Sequence, residues 1–180
     1  MSQMQGPAAR RQGYVQAAYI VADVEQAVMK WAALGAGPFF LKPYKTQGQP
    51  TYLGRPANLD HISAFGQYGA LMIELIQPLG EGPTVYSLPG DGEGLHHFAE
   101  ICPVLEASIA EAAAMGRPLV CRSGTAQTPS AFVDARTELG HLIELCQDSP
   151  QLRYLYDFVA KAAEAWDGAD PVRHLGVPAK

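Results

Sequence analysis

Basic charge is scarce in this chain. Its 180 residues carry 13 Lys and Arg against 18 Asp and Glu, which gives a net charge of −5 at pH 7. No cluster of Lys or Arg could neutralise a run of phosphates, so the composition argues against nucleic acid as a partner. Charged residues make up only 17% and hydrophobic residues 48%, a balance that is typical of a compact globular protein with a substantial core.

Long apolar runs and paired cysteines are also missing. The hydrophobic stretches are far shorter than the roughly 20 residues that span a membrane, and residues 1–13 lack the apolar core of a signal peptide. Cys102, Cys121 and Cys146 are odd in number and show no C-x-x-C spacing. This usage is typical of reduced thiols rather than of a disulfide framework. We therefore expect a cytoplasmic protein that has no membrane partner.

What the chain does contain is an internal repeat. A strand, a helix, a glycine stop and a proline-led strand follow one another over residues 14–41, and Asp23 is the expected N-cap of the helix. The same order returns over residues 95–121, where His97 occupies the place that Gln16 has 81 positions earlier. The motif Ile-Glu-Leu-x-Gln closes each half, around Glu74 and Glu144. A duplicated βαβββ unit explains this pattern most economically.

The repeat divides the chain into five parts. These are a flexible N-terminal arm (1–13), a first βαβββ module (14–78), a linker (79–94), a second βαβββ module (95–148) and a C-terminal helix with a tail (149–180).

Smaller features are expected within these parts. Residues 42–58 are rich in Pro and Gly and read as a loop, and a short helix is expected near Val85. Residues 170–180 read as irregular. Pro150 is a good start for the final helix, whose apolar stripe reaches Trp166 and must pack on its own domain or on a second copy of the chain.

Each module carries one polar residue at the start of its first strand and one carboxylate inside its last strand. These are Gln16 and Glu74 in the first module, and His97 and Glu144 in the second. Carboxylates flanked by Ile and Leu are costly to bury without a partner. A divalent metal ion would satisfy both, with an imidazole nitrogen and an amide oxygen completing its coordination. Each residue taken singly fits a structural role, but the repetition favours a metal site.

Other polar residues are harder to assign. Side-chain alternation along a strand leaves His96 and His141 pointing away from the metal site. Lys42, Lys45 and Arg55, in the long loop of the first half, could meet an anionic group of a substrate, although scattered cations are also ordinary in loops.

Five segments follow one another in an order that is specific for one superfamily. They are Asp23-Val24-Glu25-Gln26-Ala27, Gly35-x-Gly37-Pro38-Phe39, Ile73-Glu74-Leu75-Ile76-Gln77-Pro78-Leu79, Gly94-Leu95-His96-His97 and Gly140-His141-Leu142-Ile143-Glu144-Leu145. Together they resemble the vicinal-oxygen-chelate (VOC) superfamily, which includes glyoxalase I, methylmalonyl-CoA epimerase, extradiol dioxygenases and bleomycin-resistance proteins. The Gly-Leu-His-His and Ile-Glu-Leu-x-x-Pro-Leu segments look most like the epimerase branch.

The resemblance implies an α+β fold in which tandem βαβββ modules form an open eight-stranded half-barrel around one site, with the C-terminal helix added. It implies one divalent ion (Zn, Co, Ni, Mn or Fe) with Gln16, Glu74, His97 and Glu144 as its ligands. This ligand set is similar to that of some glyoxalase I enzymes. Members of the superfamily are often dimers, so a homodimer is expected.

The implied activity is that of a metal-dependent isomerase, epimerase or lyase. Such an enzyme abstracts a proton next to a carbonyl of a small substrate, through a metal-stabilised enolate or enediolate. Glu144 or Glu74 would be the catalytic base, and the epimerase branch favours Glu144. Two alternatives remain: an extradiol-type ring-cleaving dioxygenase, which would need a second histidine where Gln16 stands, and a metal-free, resistance-type small-molecule binding protein.

Overall fold

The computed structural model describes residues 13–80, 82–88 and 92–175. The predicted N-terminal arm lies outside these residues except for Gly13. The described part forms eleven strands and four helices. In chain order they are β1 (Tyr14–Ile20), α1 (Val24–Ala32), β2 (Phe39–Tyr44), β3 (Thr51–Tyr52), β4 (Arg55–Pro56), β5 (His61–Tyr68), β6 (Leu71–Pro78), β7 (Gly94–Cys102), α2 (Leu105–Ala114), β8 (Leu119–Gly124), β9 (Pro129–Asp134), α3 (Arg136–Leu139), β10 (Leu142–Gln147), α4 (Pro150–Glu164) and β11 (Val172–His174).

All of these strands join one curled sheet in the order β11-β2-β5-β6-β1-β7-β10-β9-β8-β3-β4. β1 lies between β6, which is parallel to it, and β7, which is antiparallel. β7 in turn pairs in parallel with β10. The four strands that carry the predicted metal ligands are therefore neighbours at the centre of the sheet.

The eight strands expected from the sequence are β1, β2 and β5 to β10, and the α+β class is confirmed. Three short strands enlarge the sheet beyond eight. β3 and β4 form a hairpin inside residues 42–58, so the loop predicted there from the Pro- and Gly-rich composition is wrong. The turn residues Leu53 and Gly54 both have positive φ. β11 lies in the tail that was expected to be irregular, and it pairs with β2. Pairing with distant edge strands creates both features, and local composition does not reveal such pairing.

The expected short helix near Val85 is also corrected. Residues 82–88 form turns, one of which is closed by the hydrogen bond from Ser87 N to Thr84 O at 3.0 Å. Val85 and Tyr86 are buried there and pack on Ile20 and other residues of the inner sheet face. Burial of these two side chains, rather than helix formation, orders the segment.

Helices α1 and α2 cover the outer face of the sheet. Asp23 caps α1 as predicted, because its Oδ1 accepts from Gln26 N at 2.9 Å. α1 buries Val24, Ala27 and Val28 against the first half of the sheet. α2 buries Leu105 and Ala112 against the second half. The inner face is consequently left for α4 and for a cavity.

Helix α4 packs on its own chain. Ser149 caps it with a side-chain oxygen that accepts from Leu152 N at 3.2 Å, and Pro150 occupies its first turn. Val159 is fully buried and meets Phe40, Phe65 and Met72 on the inner face of the first half of the sheet. Within the part of the chain that the structure describes, no helix has the length and apolarity needed to cross a membrane.

Candidate metal centre

The four metal ligands predicted from the sequence face one cavity. Gln16, Glu74, His97 and Glu144 line a space of about 990 Å³ on the inner face of the sheet. Ligand atoms of Glu74, His97 and Glu144 lie within 4.8 Å of one another. His97 Nε2 is 3.3 Å from Glu144 Oε2 and 3.8 Å from Glu74 Oε2. The imidazole therefore stands between the two carboxylates.

Two alanines keep the centre of the site open. Ala18 on β1 pairs with both Glu74 and His97, and Ala99 on β7 pairs with both Gln16 and Glu144. Both alanines are fully buried. A longer side chain at either position would fill the space between its two polar neighbours, so the small residues are part of how the sheet builds the site.

A serine on the next strand outward holds each carboxylate. Ser63 on β5 donates to Glu74 Oε1 at 2.6 Å, and Ser130 on β9 donates to Glu144 Oε1 at 2.8 Å. Neither serine was predicted from the sequence as part of the site. A signal was present, because Ser-Ala-Phe occurs at residues 63–65 and again at 130–132.

His96 contacts the ring of His97, although it does not itself line the cavity. β7 skips His96 between the partners of Ala18 and Tyr19, and this bulge brings the rings of His96 and His97 together. The two Nδ1 atoms are 2.7 Å apart, and His96 Nε2 is 2.7 Å from the backbone oxygen of Val85. Strand alternation predicted that His96 points away from the site, and this is wrong: the bulge turns its ring toward His97 and the cavity-lining Phe132, although His96 itself does not line the cavity.

The hydrogen bonds of His96 determine which nitrogen of His97 is free. The carbonyl of Val85 only accepts, so His96 Nε2 must carry a hydrogen. Burial, reinforced by the charge of His97, lowers the pKa of His96 to about 3, which keeps the ring neutral and Nδ1 bare. His97 then donates from Nδ1, and a neutral His97 presents a bare Nε2 to the carboxylates. Such a backing hydrogen bond is typical of metal-binding histidines.

The two carboxylates differ in proton affinity. Burial raises the pKa of Glu74 to about 7, because it outweighs the lowering effects of His97, Ser63 and Gln16. Burial also acts to raise the pKa of Glu144, but a protonated His97, 3.3 Å away, and the hydrogen bond from Ser130 offset it and leave this pKa below its usual range. The side chain closer to the imidazole is thus the more readily ionised of the two.

These residues fit a divalent cation. His97 Nε2 is buried and has no hydrogen-bond partner in the described part of the chain, and orphaned buried nitrogens are costly. Two buried carboxylates and one imidazole form a donor set that suits a first-row divalent ion. Gln16 Nε2 donates to Glu74 Oε2, and Gln16 Oε1 accepts from Tyr156 Oη at 2.8 Å. Gln16 can offer its oxygen to a cation only if the amide turns over.

The cations near the cavity are mostly paired. Lys45 Nζ contacts Asp60 Oδ2 at 2.8 Å, and Arg122 forms a two-pronged ion pair with Glu106. Lys42 Nζ lies 4.7 Å above the ring of Tyr44. All three basic residues line the cavity, and Arg55, on β4, does not.

Comparison with known proteins identifies the family. The model of the Glyoxalase/Bleomycin resistance protein/Dioxygenase superfamily matches residues 15–133, which is more than half of the chain. The chain therefore belongs to this superfamily, as the five sequence segments indicated. The uncharacterised protein YqjC of Bacillus subtilis (strain 168) is 34% identical over 88 residues, which cover 47% of this chain and 63% of that protein. The chain thus spans less than two thirds of the length of this relative.

Solved structures share the fold. Methylmalonyl-CoA epimerase from Mycobacterium tuberculosis aligns with a TM-score of 0.57 and 23% identity over 83% of this chain and 97% of that one. A methylmalonyl-CoA epimerase in complex with methylmalonyl-CoA and NH4+ gives a TM-score of 0.57 and 19% identity over 78% and 97%. The hypothetical protein BH1468 from Bacillus halodurans C-125 gives 0.54 and 23% over 77% and 95%.

Proposed function

We propose that this chain is a metal-dependent epimerase, isomerase or lyase that removes a proton from a carbon next to a carbonyl group. The observation that carries the proposal is a set of two largely buried carboxylates and one buried imidazole nitrogen that has no hydrogen-bond partner in the described part of the chain. Their ligand atoms lie within 4.8 Å of one another beside a cavity of about 990 Å³. Gln16, Glu74, His97 and Glu144 would hold one divalent ion. When bound, the ion would polarise the carbonyl and stabilise the negative charge that develops on its oxygen.

Glu144 is the better candidate for the base. The side chain of Glu144 is slightly more exposed than that of Glu74, at 14% against 10%. Helix α4 covers the first half of the inner face and leaves the side of Glu144 more open to an entering substrate. Ser130 fixes Oε1 of Glu144, which leaves Oε2 as the oxygen that takes the proton. A positioned carboxylate of this kind accelerates proton transfer by about 10²- to 10⁴-fold.

Several aromatic side chains would shield the reacting carbon from water. Phe65, Tyr86 and Phe132 line the cavity together with the four polar residues. Their burial lowers the local dielectric and strengthens each charge interaction inside. The epimerases of similar fold suggest a CoA ester or another small carbonyl compound as the first substrates to test. Cys102, Cys121 and Cys146 are buried and form no disulfide, which supports a reducing compartment such as the cytoplasm. The expected homodimer remains a proposal; α4 packs on its own chain through Val159 and leaves Tyr154 exposed.

Metal content and proton exchange together test the function. Wild-type protein should retain about one divalent ion per chain, and His97→Ala should lose most of it. His61→Ala is the matched control, because His61 lines the same cavity but lies outside the cluster. Incubation in D2O with methylmalonyl-CoA and a set of 2-oxo acids should incorporate deuterium next to the carbonyl. Chelation should abolish this exchange, and returning the metal should restore it.

Each alternative has a distinct outcome. A metal-free binding protein would hold no metal, and added metal would leave its melting temperature unchanged. A ring-cleaving oxygenase would consume oxygen with catechols and would show no exchange. Full metal occupancy in His97→Ala would mean that the site has been misplaced.

A further inference from the structure

The C-terminal helix contributes a side chain to the candidate metal centre. Tyr156, on α4, donates its hydroxyl hydrogen to Gln16 Oε1 at 2.8 Å. The family match ends at residue 133, and α4 begins at Pro150, so this contact comes from outside the matched segment. It joins positions that are 140 residues apart. The contact therefore brings a residue near the end of the described chain to a strand near its start.

Packing of α4 fixes the position of the phenol. Val159, one turn further along the helix, is fully buried against Met72. Met72 is the sheet partner of Gln16. The contact of Val159 with Met72 on β6 and the hydrogen bond of Tyr156 to Gln16 on β1 thus hold α4 to two neighbouring strands. The helix therefore has little freedom to move the hydroxyl away from Gln16.

The amide of Gln16 has two useful orientations. In the described one, Nε2 donates to Glu74 and Oε1 accepts from Tyr156. An amide nitrogen has no free lone pair for a metal ion, so ligation requires Oε1 to face the carboxylates. In that orientation Nε2 faces α4 and needs an acceptor. A phenolic hydroxyl both donates and accepts, and it can therefore partner the amide in either orientation.

We propose that Tyr156 is a positioning residue that orients Gln16 as a metal ligand, donating to its oxygen in the metal-free protein and accepting from its nitrogen when a cation is bound. This inference rests on the proposed metal centre. α4 then acts as a part of the site and not merely as a cover. Removing the hydroxyl should weaken metal binding even though the ring and the packing of the helix remain.

A Co²⁺ titration of the metal-free full-length protein tests this role. Tyr156→Phe should bind Co²⁺ about 10- to 100-fold more weakly than wild type, the usual effect of losing a partner that orients a ligand. Its visible Co²⁺ spectrum should also change, because one oxygen ligand is lost or misplaced. Tyr154→Phe is the matched control, since Tyr154 lies two residues away on the same helix and is 71% exposed. It should leave the affinity and the spectrum unchanged.

A double-mutant cycle separates positioning from packing. In a Gln16→Ala background, Tyr156→Phe should cause no further loss of Co²⁺ affinity, because the amide that it orients is gone. An equal loss in both backgrounds would assign Tyr156 to packing alone and overturn the inference. Normal affinity in Tyr156→Phe, with metal lost in His97→Ala, would overturn the inference but leave the proposed function standing. Failure of wild-type protein to bind Co²⁺ would overturn both.

Discussion

The two halves of the sheet place matching side chains around the cavity, except that Gln16 on β1 corresponds to His97 on β7. Ser63 and Phe65 stand beside Glu74 in the first half as Ser130 and Phe132 stand beside Glu144 in the second. Ala18 and Ala99 are likewise equivalent, and both lie between two of the polar residues. Duplication thus supplies a symmetric scaffold of small residues, serines and carboxylates.

The differences give the two carboxylates different properties. The first half has Gln16 where the second has His97, and only the first half is covered by α4. His97 Nε2 is closer to Glu144 than to Glu74, at 3.3 against 3.8 Å. The pKa of Glu144 is accordingly lowered, whereas burial raises that of Glu74 to about 7. One substitution and one added helix are enough to give different pKa values to two carboxylates that occupy equivalent places in the repeat.

Removing α4 should have the largest effect on stability, and the first half of the sheet should lose the most. A chain that ends at Asp148 would expose Phe40, Phe65 and Met72. Each large apolar side chain gains about 1.5–3 kcal/mol from burial, and whole domains are stable by only about 5–15 kcal/mol. We expect aggregation or loss of a cooperative thermal transition, measured by light scattering and calorimetry.

A chain that ends at Trp166 is the control for this truncation. It keeps α4 but loses β11, and it should remain folded. In any soluble fraction of the shorter chain, amide hydrogen exchange should rise in β2 and β5 more than in β8 and β9. Unchanged stability of the shorter chain, or equal exchange in both halves, would show that α4 does not distinguish them.

The next largest effect should be a difference in turnover between variants of the two carboxylates. Glu144→Gln keeps a neutral oxygen and the shape of the side chain but removes the base, so turnover should fall by about 10²- to 10⁴-fold while some metal remains. Glu74→Gln should mainly weaken metal binding and keep more turnover at saturating metal. Both variants should be assayed by deuterium exchange alongside metal analysis. The opposite result would assign the base to Glu74, and retained turnover in both would exclude proton abstraction by either carboxylate.

Replacing either serine should have a smaller effect, and the loss of metal affinity should be similar for the two halves. Ser63→Ala and Ser130→Ala each remove a hydrogen bond that orients a carboxylate, so each should weaken Co²⁺ binding by about 10- to 100-fold. Only Ser130→Ala should also lower turnover at saturating metal, because Ser130 holds the proposed base. Ser108→Ala is the control, since Ser108 is buried on α2, away from the cavity. Equal effects of Ser63→Ala and Ser130→Ala on turnover would argue against separate roles for the carboxylates.

Local patterns in the sequence predicted much of this architecture. Alternation and the offset of 81 residues were enough to expect the eight main strands and to bring Gln16, Glu74, His97 and Glu144 to one cavity. Their role as ligands stays a prediction. The repeated Ser-Ala-Phe was equally visible in the sequence and would have identified the two serines.

Other parts of the site depend on distant contacts. The support from His96 arises at a bulge in β7, and Tyr156 reaches Gln16 across 140 residues. β11 exists because β2 has a free edge for it to pair with. None of these three features leaves a periodic or compositional trace, since each is decided by how already formed elements meet.

The smallest expected effect concerns a position where the halves differ in a titratable group. His61 begins β5 two residues before Ser63, and Thr128 has the corresponding place before Ser130. Burial lowers the pKa of His61 below its ordinary 6.5, although the backbone of Leu59 and the charges of Glu144 and Asp60 act in the opposite direction. The rings of Tyr44 and Tyr86 pack against His61, which is buried at the wall of the cavity.

The lowered pKa fixes the sign of the pH dependence. Below 6.5 the unfolded chain binds a proton at His61 that the folded chain resists, so the free energy of unfolding must fall as pH decreases through this range. One such group contributes at most about 1.4 kcal/mol for each pH unit. His61→Thr, which copies the second half, should flatten the acid side of the stability profile by up to this slope and leave the profile above pH 6.5 parallel to that of wild type.

Urea unfolding of the two metal-free proteins at several pH values on both sides of 6.5 measures the difference, and the exposed His174→Thr is the control. A constant difference in the free energy of unfolding at every pH would mean that His61 titrates alike in the folded and unfolded chains, and that this position does not distinguish the two halves.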